Sequence, residues 1–199
     1  GIEMVEMLKE KGYGIIATGE MGIGNTTTGS AIASVMLNEA VEMVTGRGAG
    51  LSEEGLQRKR QVIREAIALH QPDPEDPVAV LAALGGLDIA GMCGLMLGGA
   101  IYRFPVVLDG MISLAAALLA QKMCPIVTDY LLASHVGREP ACERGLQKLG
   151  LEPLIHGRLA LGEGTGAVML FPLLDMAEAV YRQNRTFADI QIKAYERME

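Results

Sequence analysis

Apolar positions along the chain fall into short runs separated by glycine-rich turns. Ile2, Val5, Met7 and Leu8 lie close to an i, i+3, i+4 spacing, which predicts a helix over 2–12 with Gly12 as its stop. Residues 13–18 are a short, mostly apolar run that reads as a buried strand. The polar turn Gly19-Glu20-Met21-Gly22-Ile23-Gly24-Asn25-Thr26-Thr27-Thr28 follows, and 31–37 reads as a helix. Strand, turn and helix make half of a βαβ unit. Residues 46–50 are a second glycine turn. Ser52 can cap a helix running through Leu56, Lys59, Val62, Ile63 and Ala66. Pro72, Pro74 and Pro77 form a stiff acidic connector, with Pro77 suited to a first helical turn. Strands are then predicted at 104–110, 125–133 and 154–155, with helices at 111–121 and 140–149. The third glycine turn, 161–166, opens a helix at Ala167, and 188–198 reads as a charged closing helix. This alternation predicts an α/β class, a three-layer Rossmann-like domain with a mainly parallel sheet and helices on both faces. The whole of 1–199 reads as one nucleotide-binding domain, with 167–199 as its helical C-terminal part.

Residues 78–120 carry only three charges, Asp88, Arg103 and Asp109, and Gly94 and Gly98 make a G-x-x-x-G. Two membrane helices packed through small residues would show this pattern. Buried helices and a parallel strand of a water-soluble core would show it too. The second reading is preferred, because no charge-free run reaches the ~18 residues of a span and Pro105 interrupts the segment. A net charge of −7 and an aromatic content of 4% disfavour a nucleic-acid surface, while leaving room for a local anion pocket. Cys93, Cys124 and Cys142 show neither disulfide nor zinc spacing, and the histidines show no ligand spacing, so no metal is expected. The opening residues lack a signal-peptide pattern, which makes the cytoplasm the default location.

Candidate chemistry lies in the glycine turns. The first turn lacks the Gly-Lys-Ser/Thr ending of a P-loop, and Thr27 stands where G-x-G-x-x-G needs its third glycine. What remains is a strand end, small residues, Asn25, three threonines and a helix start. Converging N–H groups there suit one phosphate, and a tight turn with a threonine cap would read the same way. Glu20 inside this turn could face a cationic ring or a sugar hydroxyl, or be a solvated loop acid. Glu163, framed by Gly162 and Gly164, sits at another helix start, where a carboxylate can serve as a general base or simply cap the helix. Lys59 lies in a basic run with Arg58, Arg60 and Arg64; most such charges form a solvated face, but one could reach a phosphate. Ser134-His135 follows a strand and could contact a ligand, although adjacency alone makes no triad.

The chain resembles the nicotinate-nucleotide–dimethylbenzimidazole phosphoribosyltransferases of cobalamin synthesis. The resemblance rests on Gly19-Glu20-Met21-Gly22-Ile23-Gly24-Asn25-Thr26-Thr27 and on Leu161-Gly162-Glu163-Gly164-Thr165-Gly166-Ala167. Between them Gly55-Leu56-Gln57-x-Lys59, the 85–99 glycine stretch, Val107-Leu108-Asp109-Gly110 and Ser134-His135 fall in the family's order. It implies transfer of phosphoribose from nicotinate mononucleotide to 5,6-dimethylbenzimidazole or a related base, giving nicotinate and α-ribazole 5′-phosphate. No cofactor is implied, because the cationic nicotinate ring is itself a good leaving group. Glu163 is then the base and Glu20 a second catalytic carboxylate. Gly22, Gly24, Asn25, Thr26, Thr27, Lys59, Asp109, Ser134, Gly162 and Gly164 are the expected substrate contacts. A homodimer is implied. The family's Glu-x-Gly-His element reads Glu139-Pro140-Ala141-Cys142 here, and Ala160 stands where an arginine is frequent. Only 18 residues precede the first motif, so most of the family's N-terminal region, which helps form the benzimidazole pocket, is expected to be lacking. A nucleotide-binding module without turnover is the alternative reading, and a nicotinamide-dependent oxidoreductase a third.

Overall fold

The computed structural model describes residues 1–193. Three short strands, β1 (Ile16–Ala17), β2 (Val106–Leu108) and β3 (Leu131–Ala133), form an all-parallel sheet in the order β1-β2-β3. Helices dominate the rest: α1 (Ile2–Glu10), α2 (Asn25–Leu37), α3 (Val41–Val44), α4 (Glu53–His70), α5 (Pro77–Leu84), α6 (Leu87–Tyr102), α7 (Met111–Met123), α8 (Ala141–Leu149) and α9 (Thr165–Gln183).

Alternation along the strands separates two apolar layers. Ile16, Val106, Leu108, Leu131 and Ala133 join the main core, with α2, α6, α7 and α8. Ala17, Val107 and Leu132 face the opposite way and pack with Ala167, Leu170, Phe171 and Leu174 of α9. The sheet therefore has helices on both faces, as a parallel sheet requires. Its central strand is fully buried, which explains why 104–110 reads as a continuous apolar run.

Side-chain caps mark the starts of α4 and α5. Ser52 accepts from the Gly55 N–H at 3.1 Å, and Asp76 caps α5 ahead of Pro77. The G-x-x-x-G of α6 is the docking face for α1. A Cβ on Gly98 would lie 2.9 Å from Val5 Cγ2, and one on Gly94 3.1 Å from Gly1 Cα. Among the described residues no helix is long and apolar enough to cross a membrane.

The structure corrects several sequence-based boundaries. The sheet is smaller than expected. Residues 125–130 form a 3₁₀ helix, leaving only 131–133 extended. Pro125 suits a first helical turn, and Thr128 Oγ1 donates to its carbonyl at 3.0 Å. The strand expected at 154–155 is reduced to one parallel bridge between Ile155 and His135. Residues 188–191 of the expected closing helix form a turn, 192–193 have no regular structure, and the remainder of that segment lies outside the described residues.

Candidate functional site

All three strands run parallel, so their carboxyl ends open on one edge, where α/β folds bind ligands. β1 runs into the first glycine turn, β2 into Asp109-Gly110 and β3 into Ser134-His135. A cavity of about 820 Å³ lies there. It is bordered by Glu20, Gly22, Gly24, Asn25, Thr26, Thr27, Lys59, Asp109, Gly162 and Glu163. Ten of the twelve residues singled out from the sequence thus meet on one cavity.

The first turn ends at Gly24, the N-cap of α2, with φ +88, a conformation that glycine adopts without strain. Asn25, Thr26 and Thr27 form the opening turn of α2, where backbone N–H groups precede the helical ladder. Lys59 is only 6% exposed, and its Nζ donates to Thr26 Oγ1 and to the Gly46 carbonyl, both at 3.0 Å. Burial pushes this ammonium below its ordinary range, and Glu139 opposes that shift. A buried lysine beside a helix start, held by neutral oxygens, is a strong local preference for an added anion. Glu20 is half-buried, and its Oε2 has no hydrogen-bond partner among the described residues. Burial, and secondarily the charge on Asp88, raise its carboxyl above the usual range.

The third turn carries Glu163 in an exposed position. Gly162, Glu163 and Gly164 all have positive φ, at +85, +58 and +84. Asp109, at the end of β2, accepts from the Gly164 N–H and the Ala167 N–H, both at 3.1 Å. The first and third glycine turns touch through their backbones: a Cβ on Gly19 would stand 2.7 Å from Gly164 N and Cα. Two motifs more than a hundred residues apart are thereby one surface.

Ser134 does not border the cavity. It is fully buried, and its hydroxyl donates to the Leu108 carbonyl at 2.5 Å. Its oxygen is also 2.9 Å from His135 Nδ1. With the serine proton on Leu108, that nitrogen carries a hydrogen and donates back. Burial lowers the His135 pKa, and Asp109 opposes the shift. Gly164 likewise contributes backbone behind the turn rather than cavity wall.

Sequence reasoning did not single out Arg47, Arg138 or Glu139, which also border the cavity. Glu139 Oε1 accepts from the Gly48 N–H at 2.9 Å, and its Oε2 is buried without a partner among the described residues. This carboxylate fixes the second glycine turn from 91 positions away, a pairing no local pattern announces.

Comparison with known proteins identifies the family and the fold. A family model described as phosphoribosyltransferase matches residues 1–192. The nicotinate-nucleotide–dimethylbenzimidazole phosphoribosyltransferase of Clostridium acetobutylicum is 48% identical over 195 residues, 98% of this chain and 55% of that protein. The enzyme of the same name from Ruminiclostridium cellulolyticum is 45% identical over 199 residues, covering 100% of this chain and 56% of its own length. The crystal structure of CobT from Thermus thermophilus superposes with a TM-score of 0.90 at 41% identity, over 96% of this chain and 57% of that one. The chain spans about half the length of the curated relatives it matches. On the family model and these relatives together, the chain belongs to the nicotinate-nucleotide–dimethylbenzimidazole phosphoribosyltransferase family.

Proposed function

We propose that this chain carries the nucleotide side and the base of a phosphoribosyl transfer from nicotinate mononucleotide to 5,6-dimethylbenzimidazole or a related base. The observation that carries the reading is the backbone contact of Gly19 with Gly164, which sets the phosphate turn and Glu163 on one cavity. The nucleotide phosphate lies at Gly22–Thr27 with Lys59. Glu163 removes the azole N–H proton as the other ring nitrogen attacks the anomeric carbon. The bond from that carbon to the nicotinate nitrogen breaks, and its electron pair stays on the ring as neutral pyridine nitrogen. The transition state has oxocarbenium character, which a nearby carboxylate stabilises. Glu20 is positioned for that second task. On this reading the sheet between its two helical layers is a Rossmann-like nucleotide-binding domain cut to three strands, working in the cytoplasm as a homodimer.

Calorimetric titration with nicotinate mononucleotide, followed by chromatographic assay of nicotinate release with dimethylbenzimidazole present, tests the proposal. Binding together with release supports it, and absence of binding rejects it. Binding without release favours a nucleotide-binding module. The first turn offers no complete dinucleotide fingerprint, which disfavours a nicotinamide-dependent oxidoreductase.

A further inference from the structure

Asp109 was expected to touch substrate, but its two oxygens are engaged elsewhere. We propose that Asp109 is the positioning residue of the Glu163 turn, acting through backbone N–H groups rather than on the substrate. The inference rests on the reading above, in which Glu163 is the base.

A non-glycine residue at φ +58 is uncommon and persists only where its surroundings over-determine it. Glu163 is exposed, so its own side-chain packing does not supply that constraint. The Thr165 N–H donates to the Gly162 carbonyl at 3.0 Å, which closes the turn upon itself. Asp109 then ties it to the sheet, one oxygen on Gly164 N–H and the other on Ala167 N–H. Those two amides bracket the start of α9 directly after Glu163. Asp109 is 7% exposed and follows β2, the central strand, so the anchor is rigid. It also places a negative charge at the positive end of α9. Gly166 completes the arrangement. A Cβ there would collide with His135 Nδ1 and come within 3.1 Å of Asp109 Oδ1. His135 therefore closes the far side of the same junction. Asparagine cannot replace Asp109, because its amide accepts one N–H and opposes its own NH₂ to the other.

The test compares Asp109→Asn, Glu163→Gln and the double variant with the wild-type chain. Amide exchange by NMR is one readout and steady-state kinetics the other. Asp109→Asn is expected to speed exchange at Gly164 and Ala167 by about tenfold or more, while amides of α2 and α7 keep their protection. Its kcat falls roughly 10²-fold, as displacement of a reacting group by about an ångström would produce. KM for nicotinate mononucleotide moves much less. The double variant is no slower than Glu163→Gln alone, because Asp109 acts only through that residue. Should Asp109→Asn melt below the assay temperature, Asp109→Ser, which retains one acceptor, carries the same comparison. Unchanged exchange at Gly164 and Ala167 overturns the proposal. So does a rise in KM at constant kcat, or multiplied losses in the double variant. A wild-type chain that binds the nucleotide without releasing nicotinate sinks the turnover reading alone, and the exchange measurement still decides the role of Asp109.

Discussion

Glu163, Lys59 and Glu20 border one cavity, yet Glu163 is exposed while the other two are desolvated groups of opposite charge, so their variants should separate. Glu163→Gln keeps size and hydrogen bonding but cannot accept the azole proton. Its turnover should fall roughly 10²–10⁴-fold with little change in affinity for nicotinate mononucleotide. Near wild-type turnover with a lowered melting temperature would instead make Glu163 a helix-start acid. Lys59→Met keeps the stem and removes a buried charge. Affinity for the nucleotide should drop about 10–100-fold, the worth of a hydrogen bond to a charged group. Burial lowers the folded pKa of Lys59 below its unfolded value, so the charge opposes folding in full below that lowered value, and the penalty fades as pH rises from it to the unfolded one. Without ligand the variant should therefore melt no lower than wild type at neutral pH, and calorimetry checks both signs. Glu20 behaves in the opposite sense. Its folded pKa is raised, so the native state holds the proton more tightly than the unfolded chain. Stability is then fullest below the unfolded value and declines as pH rises through the folded one. Urea unfolding should find Glu20→Gln equal to wild type in acid and more stable at neutral pH. Equal stability at both would remove the desolvated carboxylate from the account.

Glycine is placed element by element, and its reasons differ. Gly19 has no positive φ but stands against the Gly164 backbone, so an added methyl must push the third turn away. Gly19→Ala should lower stability by about 1–3 kcal/mol and reduce kcat by moving Glu163. Gly14 has open space around its Cβ position, so Gly14→Ala should stay within about 0.5 kcal/mol of wild type and keep full turnover. Thermal unfolding and kinetics of the pair distinguish a close approach from mere turn flexibility. The order of strand, glycine turn and helix was legible because each signal is local: the 13–18 run, the Ser52 cap, Pro77 at a helix start. The strand at 125–133 misled because Ile126, Val127 and Thr128 are β-branched and favour a strand, whereas Pro125 opens a 3₁₀ turn in which Thr128 Oγ1 donates to its carbonyl. The candidate site was legible where its residues lie within the glycine motifs. It was not legible where a pairing across the fold shapes the cavity, as with Glu139 and Gly48 or Asp109 and α9. Lys59 lay between these cases. Its neighbours Arg58, Arg60 and Arg64 disguise it as part of a solvated face, and only α4 packing on α2 turns it inward.

On the scale of the whole molecule, the exposed apolar surface lies away from the most apolar segment. Residues 78–120 form much of the main core, in line with the buried reading of their low charge, and leave exposed mainly Val78, Leu87 and Ile101. Among the described residues, α9 leaves an apolar stretch uncovered. Ala167 and Leu170 hold this helix to the sheet, while Val168, Met169, Leu173, Met176, Val180 and Tyr181 are exposed along its length. Exposed apolar residues on one helix of this extent are more than single scattered side chains, and they favour association. A two-fold axis lets the same face serve both copies, so α9 meeting α9 buries it without a second complementary surface. The homodimer proposed for this chain is therefore expected to form through α9. Light scattering at micromolar concentration should give twice the 21.2 kDa chain mass. Met176→Glu with Val180→Glu places two carboxylates in the contact and opposes them to their own symmetry mates. That pair should return the monomer while leaving the core untouched, since both side chains are already exposed. A wild-type chain that scatters as a monomer, or a double variant that remains dimeric, would show that this face is covered by something other than a second copy.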